Sequence, residues 1–285
     1  MTKVLLVDNG SKRASAVRGL RRVAEALGTR AGVTVDAVPL QHADAIPAAA
    51  LAGRPARIFS TYLEDALVEG CRAFQIVPLF FGASRALTAF IPEQIALAEA
   101  RHGRFDWRLG EVLCPLPEGE PRLADILYDN LLTASAARID AVDAVALVDH
   151  GSPIPRVTAV RTHLATLLRR RLPDTVPLHE CVMERREGPE YDFNGPLLQD
   201  LLDRLATEGG VSRVALSMLF LLPGRHAGAG GDIAEIAARA MRRHPGLEVL
   251  IAPLIGDHPG LVELLYQRLR ALQASETGVD TESAA

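Results

Sequence analysis

Short apolar runs alternate with longer stretches of helical period along most of the chain. The runs are rich in β-branched residues and bounded by loop-forming residues, the pattern of strands buried in a parallel sheet. They predict strands at residues 3–8, 34–39, 73–81, 106–113, 144–149, 177–183, 213–221 and 248–253. The apolar periodicity predicts helices at residues 15–27, 63–70, 92–100, 122–135, 156–171, 195–207, 233–243 and 261–272. This alternation predicts an α/β fold with two similar, doubly wound parallel sheets.

Two blocks of sequence occur twice, in the same order. Residues 4–11, VLLVDNGS, return as residues 145–152, VALVDHGS, with six of the eight positions identical, and residues 121–131 return as residues 259–269. Because both ends of one half recur in the other, we predict two copies of one domain, at residues 1–137 and 138–274. The remaining segment, residues 275–285, is small, polar and acidic without periodicity, and we expect it to be a disordered tail.

Composition narrows the functional classes. The 285 residues include 31 Lys and Arg against 35 Asp and Glu, so the chain has none of the excess basic charge typical of nucleic-acid-binding proteins. The apolar stretch near the N-terminus is too short for a signal peptide, and no stretch has the length of a membrane span. Cys71, Cys114 and Cys181 have neither zinc-site nor disulfide spacing. We therefore expect a cytoplasmic protein that binds neither nucleic acid nor membrane.

The residues that follow the strands of the second half suggest a site, since ligands of such sheets bind at the carboxyl ends of the strands. His150 follows the first strand, Glu184 the second, and His226 the third, within the glycine-rich segment 224–231. Two imidazoles and one carboxylate suit a divalent first-row metal ion. Two alternatives remain open: each histidine alone is typical of a hydrogen-bonded loop residue, and the glycine-rich segment is also suited to cradling a phosphate before a helix.

The first half lacks these side chains. Asn9 stands where His150 stands in the second half, and Ser84 stands where His226 stands. No carboxylate follows its second strand at the place of Glu184. We therefore expect any metal chemistry to lie in the second half alone.

These motifs together resemble the CbiX/SirB-type sirohydrochlorin chelatases, which are class II chelatases. The motifs are HGS at 150–152, MERREG at 183–188, YDFNGP at 191–196 and FLLPGRH at 220–226, and the resemblance extends over residues 3–272. It implies the class II chelatase fold, with a degenerate first copy. It also implies that His150 and His226 bind the incoming metal ion and accept the pyrrole N–H protons, while Glu184 assists. An imidazole, with its ordinary pKa of about 6.5, is a suitable proton acceptor at neutral pH.

The same resemblance implies that Ser152, Arg185, Gly224 and Arg225 bind the substrate, because arginine pairs well with carboxylates of a tetrapyrrole. Arg186 is a further candidate, although a solvated role suits each arginine about equally. His258 is expected to serve the entry of the last helix.

The expected activity is a lyase reaction that inserts a divalent metal ion into sirohydrochlorin, in cobalamin or sirohaem biosynthesis. Co²⁺ is favoured, Fe²⁺ and Ni²⁺ are possible, and no cofactor is needed beyond this metal substrate. We expect a monomer or a homodimer. One alternative is a non-catalytic carrier of a tetrapyrrole or metal on the same scaffold, and a weaker one is a phosphate-ester or nucleotide-binding enzyme that uses the glycine-rich segment.

Overall fold

The computed structural model describes residues 2–208 and 210–274, and it confirms the α/β prediction. The strands are β1 (Thr2–Val7), β2 (Val35–Ala37), β3 (Ala73–Pro78), β4 (Asp106–Leu109), β5 (Ala144–Asp149), β6 (Leu178–Val182), β7 (Arg213–Met218) and β8 (Glu248–Ile251). The helices are α1 (Ala14–Ala31), α2 (Phe59–Val68), α3 (Ile91–His102), α4 (Pro121–Ala134), α5 (Pro155–Arg169), α6 (Leu198–Glu208), α7 (Asp232–Arg243) and α8 (Pro259–Ala274). The predicted tail, residues 275–285, lies outside the described residues.

The strands form two parallel four-stranded sheets with the same order. The first sheet runs β2-β1-β3-β4 and the second runs β6-β5-β7-β8, so each strand of one half has a counterpart in the other. The interior strand β5 is fully buried from Val145 to Val148, as expected for a strand covered on both faces. The repeated topology supports the duplication inferred from the sequence.

Several strands end earlier than the sequence pattern predicts. The apolar run 213–221 gives a strand that ends at Met218, and Leu219 donates one more backbone hydrogen bond to Val148 before the chain leaves the sheet. The helix predicted from residue 195 begins at Leu198 instead, because Pro189–Asn194 folds into a 3-10 turn. Both differences lie in loops at the carboxyl ends of the second sheet.

The compact units of the fold do not coincide with the repeat boundaries at residues 137 and 138. Of the described residues, those at 2–115 and 262–274 form one unit, and those between Leu116 and Leu261 form the other. Helix α4 therefore belongs to the unit of the second sheet, where the Asn130 amide donates to the Pro253 carbonyl at 3.2 Å. Helix α8 mirrors this in the other unit, where the Arg268 guanidinium donates to the Val112 carbonyl at 3.0 Å. The two boundaries differ because the repeat is defined by similarity of sequence, whereas the compact units are defined by which elements pack together.

Two further expectations concern membrane-spanning helices and the role of His258. Within residues 2–208 and 210–274, no helix combines the length and apolar character that crossing a membrane requires. His258 caps α8, as expected, because its Nδ1 accepts a hydrogen bond from the Gly260 N–H at 3.1 Å. Glu120 occupies the equivalent place before α4 and accepts a hydrogen bond from the Arg122 N–H.

Candidate active site

The predicted histidines and glutamate come together at one edge of the second sheet. Because β5 lies between β6 and β7, His150 lies between Glu184 and His226. The His150 Nε2 is 3.2 Å from the Glu184 Oε1, and the two imidazole rings are 4.7 Å apart at an angle of 79°. The sequence prediction that these three side chains share one edge is thus in agreement with the structure, while their roles remain predictions.

The turn after β5 holds His150 and Glu184 close to each other. The Glu184 N–H donates to the His150 carbonyl at 3.1 Å, which extends the pairing of β5 and β6 into the loops. Gly151 has a φ of +92°, and a Cβ at this position would collide with the Glu184 carbonyl oxygen. Only glycine fits both requirements. The exposed fractions of the His150 and Glu184 side chains, 49% and 59%, leave both accessible to a ligand.

His226 is held by a carboxylate that the sequence analysis did not assign. Its Nδ1 is 2.8 Å from the Oδ2 of Asp232, the first residue of α7. The loop between them is closed by the Ile233 N–H, which donates to the His226 carbonyl at 3.1 Å. A carboxylate on Nδ1 favours the tautomer that carries its proton there and presents a lone pair on Nε2, as in metal sites and proton acceptors. An acidic residue that opens the helix after a histidine loop is the sequence signal for this contact.

The predicted ligands do not form a ready-made metal cage. In the described part of the chain, no group of three or more His, Cys, Asp and Glu side chains is arranged to hold a metal ion. The His150 Nε2 faces Glu184, and the His226 Nδ1 faces Asp232. A metal ion bound by His150 Nε2 would therefore replace the present contact of this nitrogen with Glu184.

The predicted substrate-binding residues differ in how freely they can reach a ligand. Arg225 is exposed, with its Nε 3.6 Å from the Asp232 carboxylate, and an added Cβ on Gly224 would meet open space. Arg185 instead donates to the Asp192 carboxylate at 3.1 Å and to a loop carbonyl. The Ser152 hydroxyl accepts a hydrogen bond from the Ile154 N–H at 3.0 Å. Arg225 and Gly224 therefore need the least rearrangement, and all four roles stay predictions.

The glycine-rich segment makes a poor phosphate cradle. The first two amides of α7 point at carbonyls of the same loop, with Asp232 N–H donating to Arg225 and Ile233 N–H donating to His226. The Asp232 carboxylate also places negative charge where a phosphate would lie. These contacts argue against the phosphate-ester or nucleotide-binding alternative.

The corresponding turn of the first unit has the same shape and different chemistry. The Asp8 carboxylate accepts a hydrogen bond from the Gly10 N–H at 3.0 Å, as Asp149 does from Gly151 at 3.1 Å. Burial raises the pKa of Asp8 to about 6, although the Gly10 hydrogen bond opposes the rise. Asn9 follows it in place of a histidine. The first unit therefore keeps the scaffold without the imidazoles.

Comparisons with known proteins agree with this fold. Residues 144–272 match the CbiX family model. A sirohydrochlorin ferrochelatase from the chloroplast of Arabidopsis thaliana is 27% identical over 139 residues, which are 46% of this chain and 53% of that protein. The matched segment thus spans about half the length of this curated relative.

Solved structures extend the comparison to nearly the whole chain. The structure of SirB from Bacillus subtilis with Fe³⁺ has a TM-score of 0.71 at 18% identity and covers 98% of both chains. A cobalt complex of the sirohydrochlorin chelatase SirB from Bacillus subtilis subspecies spizizenii has a TM-score of 0.63 at 18% identity, covering 98% of this chain and 97% of the other. The predicted fold, and the resemblance to the CbiX/SirB group, are confirmed.

Proposed function

From the match of residues 144–272 to the CbiX family and the paired histidines at the sheet edge, we propose that this protein inserts a divalent metal ion into sirohydrochlorin. Co²⁺ is the favoured metal, with Fe²⁺ and Ni²⁺ as the other candidates, and the product enters cobalamin or sirohaem biosynthesis in the cytoplasm. The observation that carries the proposal is the pair of imidazoles 4.7 Å apart, each beside its own carboxylate.

The reaction requires two protons to leave the macrocycle as one divalent ion enters. His226, with Nδ1 held by Asp232, uses its Nε2 lone pair to bind the incoming metal ion and then, once the ion has entered the macrocycle, to accept the first pyrrole proton. His150 accepts the second proton, and Glu184, 3.2 Å away, stabilises the imidazolium that forms and passes the proton to solvent. The exposure of both side chains provides the route to water.

Arg225 and Gly224 contact the macrocycle beside His226, and Arg185 and Ser152 contact it beside His150. An arginine pairs with a carboxylate through two parallel hydrogen bonds, which orients a planar ligand as well as attracting it. Arg185 exchanges its contact with Asp192 for a substrate carboxylate. No cofactor takes part beyond the metal substrate, and the protein acts as a monomer or a homodimer.

The test is an anaerobic metal-insertion assay that follows the visible spectrum of sirohydrochlorin with Co²⁺, Fe²⁺ or Ni²⁺, against a protein-free control. We expect the protein to accelerate insertion and expect His150→Ala and His226→Ala each to lower the rate at least a hundredfold, since general acid–base groups contribute about 10²–10⁴-fold. His244→Ala is a matched control, because His244 also contacts an aspartate, Asp203 at 3.0 Å, but at the far end of α7. Wild-type rates in both His150 and His226 variants would overturn the proposal.

The first unit has Asn9 and Ser84 at the positions of His150 and His226, which favours a second candidate function. In this alternative, the protein is a carrier that binds a tetrapyrrole or metal without catalysis. A carrier would shift the spectrum of sirohydrochlorin in proportion to the protein added. It would leave the rate of metal insertion at the protein-free value. The same assay therefore separates the two functions.

A further inference from the structure

Arg161 lies fully buried on α5, beneath the turn that carries His150. Its side chain is 2% exposed. Its guanidinium donates to the Asp149 carboxylate at 2.8 Å, to the Asn194 carbonyl at 2.7 Å and to the Glu180 carboxylate at 3.3 Å. A cation this deep is stable only when such partners replace water.

Both partners at the loop end of this network fix the turn around His150. The Asp149 oxygen that accepts from Arg161 also accepts from the Gly151 N–H at 3.1 Å. Asn194, also fully buried, accepts from the Ser152 N–H at 3.0 Å and donates to the Ser152 carbonyl at 2.9 Å. Arg161 thus ties the residues on each side of His150 to the core.

The first unit indicates that the scaffold does not need this arginine. In the repeat, Leu20 of α1 takes the place of Arg161, and Leu20 is fully buried. Asp8, the counterpart of Asp149, still accepts the glycine N–H two residues ahead. The turn therefore forms in the copy that has leucine at this position of the repeat, and the arginine is present where the turn carries a histidine.

We propose that Arg161 is a positioning residue, which holds the His150 imidazole against His226 and Glu184 by fixing the turn through Asp149 and Asn194. This inference rests on the proposed function for its kinetic consequence but not for its structural one. Loss of the guanidinium leaves the turn free to shift, so His150 loses its orientation while the imidazole itself remains. Groups that orient ligating histidines typically contribute 10–100-fold to activity.

The experiment compares Arg161→Leu, which installs the residue of the first unit, with Arg161→Lys and with the control Arg171→Leu. Arg171 is a matched control because its guanidinium also bonds a carboxylate and backbone carbonyls, those of Asp125, Leu167 and Pro121, at the other end of α5. We expect Arg161→Leu to lower kcat for metal insertion 10–100-fold with KM for sirohydrochlorin within about threefold. Arg161→Lys should recover part of the loss, and Arg171→Leu should leave kcat unchanged.

Two additions separate the possible failures. Arg161→Leu leaves the Asp149 carboxylate without its cationic partner and could fail to fold. The double variant Asp149→Asn/Arg161→Leu removes both charges and provides the test in that case. In histidine-labelled protein, a nuclear Overhauser effect between the His150 and His226 rings reports their contact without any substrate. Wild-type kcat together with an unchanged ring contact in a folded Arg161→Leu variant, or in the double variant, overturns the inference. An inactive wild-type protein in which the ring contact depends on Arg161 overturns the proposed function and leaves the positioning role standing.

Discussion

The contact between Asp232 and His226 permits a quantitative prediction. Replacing Asp232 with asparagine keeps an oxygen that can accept a hydrogen bond from the His226 Nδ1–H but removes the negative charge. Replacing it with alanine removes the hydrogen bond as well. Both variants should leave the His226 imidazole in place and weaken the hold on its orientation. The rate of metal insertion should therefore fall in the order wild type, Asp232→Asn, Asp232→Ala.

The magnitude follows from the geometry. A hydrogen bond to a charged group at 2.8 Å contributes roughly 1.5–3 kcal/mol, and the lower end applies here because the two side chains are 23% and 39% exposed. About 1.4 kcal/mol corresponds to a tenfold change in rate. We expect Asp232→Asn to lower kcat about tenfold and Asp232→Ala to lower it toward a hundredfold, within the range found for groups that orient ligating histidines.

The assay is the anaerobic insertion rate, measured beside thermal unfolding of each variant. Asp232 also places a negative charge at the start of α7, which stabilises the helix by about 0.3–1 kcal/mol. Glu235→Gln controls for that effect, because Glu235 lies in the same first turn and is exposed. An equal loss of activity in Glu235→Gln and Asp232→Asn would refute the reasoning, and so would a wild-type rate in Asp232→Ala.

Two further substitutions test other parts of the molecule. Burial raises the pKa of Asp8 from 3.8 to about 6, so the folded chain holds more protons than the unfolded chain between these values and stability falls as pH rises through them. Asp8→Asn should remove this dependence and raise the free energy of unfolding by about 3 kcal/mol above pH 7, with little difference below pH 4, as measured by urea unfolding. Glu184→Gln should lower kcat about tenfold by removing the carboxylate beside His150, and an unchanged rate would exclude Glu184 from proton removal.

Much of the fold could be predicted because a buried parallel strand leaves a strong local pattern. The run from Ala144 to Asp149 is predicted to the residue, since both faces of β5 are covered and every position is apolar until the strand ends. The histidines and glutamate could be placed together for a related reason: adjacent parallel strands end at one edge, so side chains that follow them become neighbours. That inference needs the topology but no knowledge of side-chain packing.

Contacts that depend on packing could not be predicted in this way. Arg161 lies on an amphipathic helix, where an arginine is ordinarily solvated, yet it is buried and donates to the carbonyl of Asn194, the last residue of the 3-10 turn Pro189–Asn194. The sequence pattern predicted a loop at residues 189–194 and a helix from residue 195. It therefore did not indicate that this segment contacts Arg161. For the same reason, the sequence did not predict that α4 belongs to the unit of the second sheet and α8 to the unit of the first. Apolar periodicity identifies the buried face of a helix but not the element that it packs against.

The two copies of the turn separate what the scaffold requires from what the chemistry requires. In both, an aspartate accepts a hydrogen bond from the glycine two residues ahead, and in both that glycine has a positive φ and lies against a carbonyl of the next loop, of Gln41 for Gly10 and of Glu184 for Gly151. These shared features are sufficient to shape the turn. Burial raises the pKa of the aspartate in each copy, but only Asp149 has a guanidinium that opposes the rise. A carboxylate bonded to a buried guanidinium adds rigidity that the turn itself does not need, and it occurs in the copy whose histidine must keep its orientation.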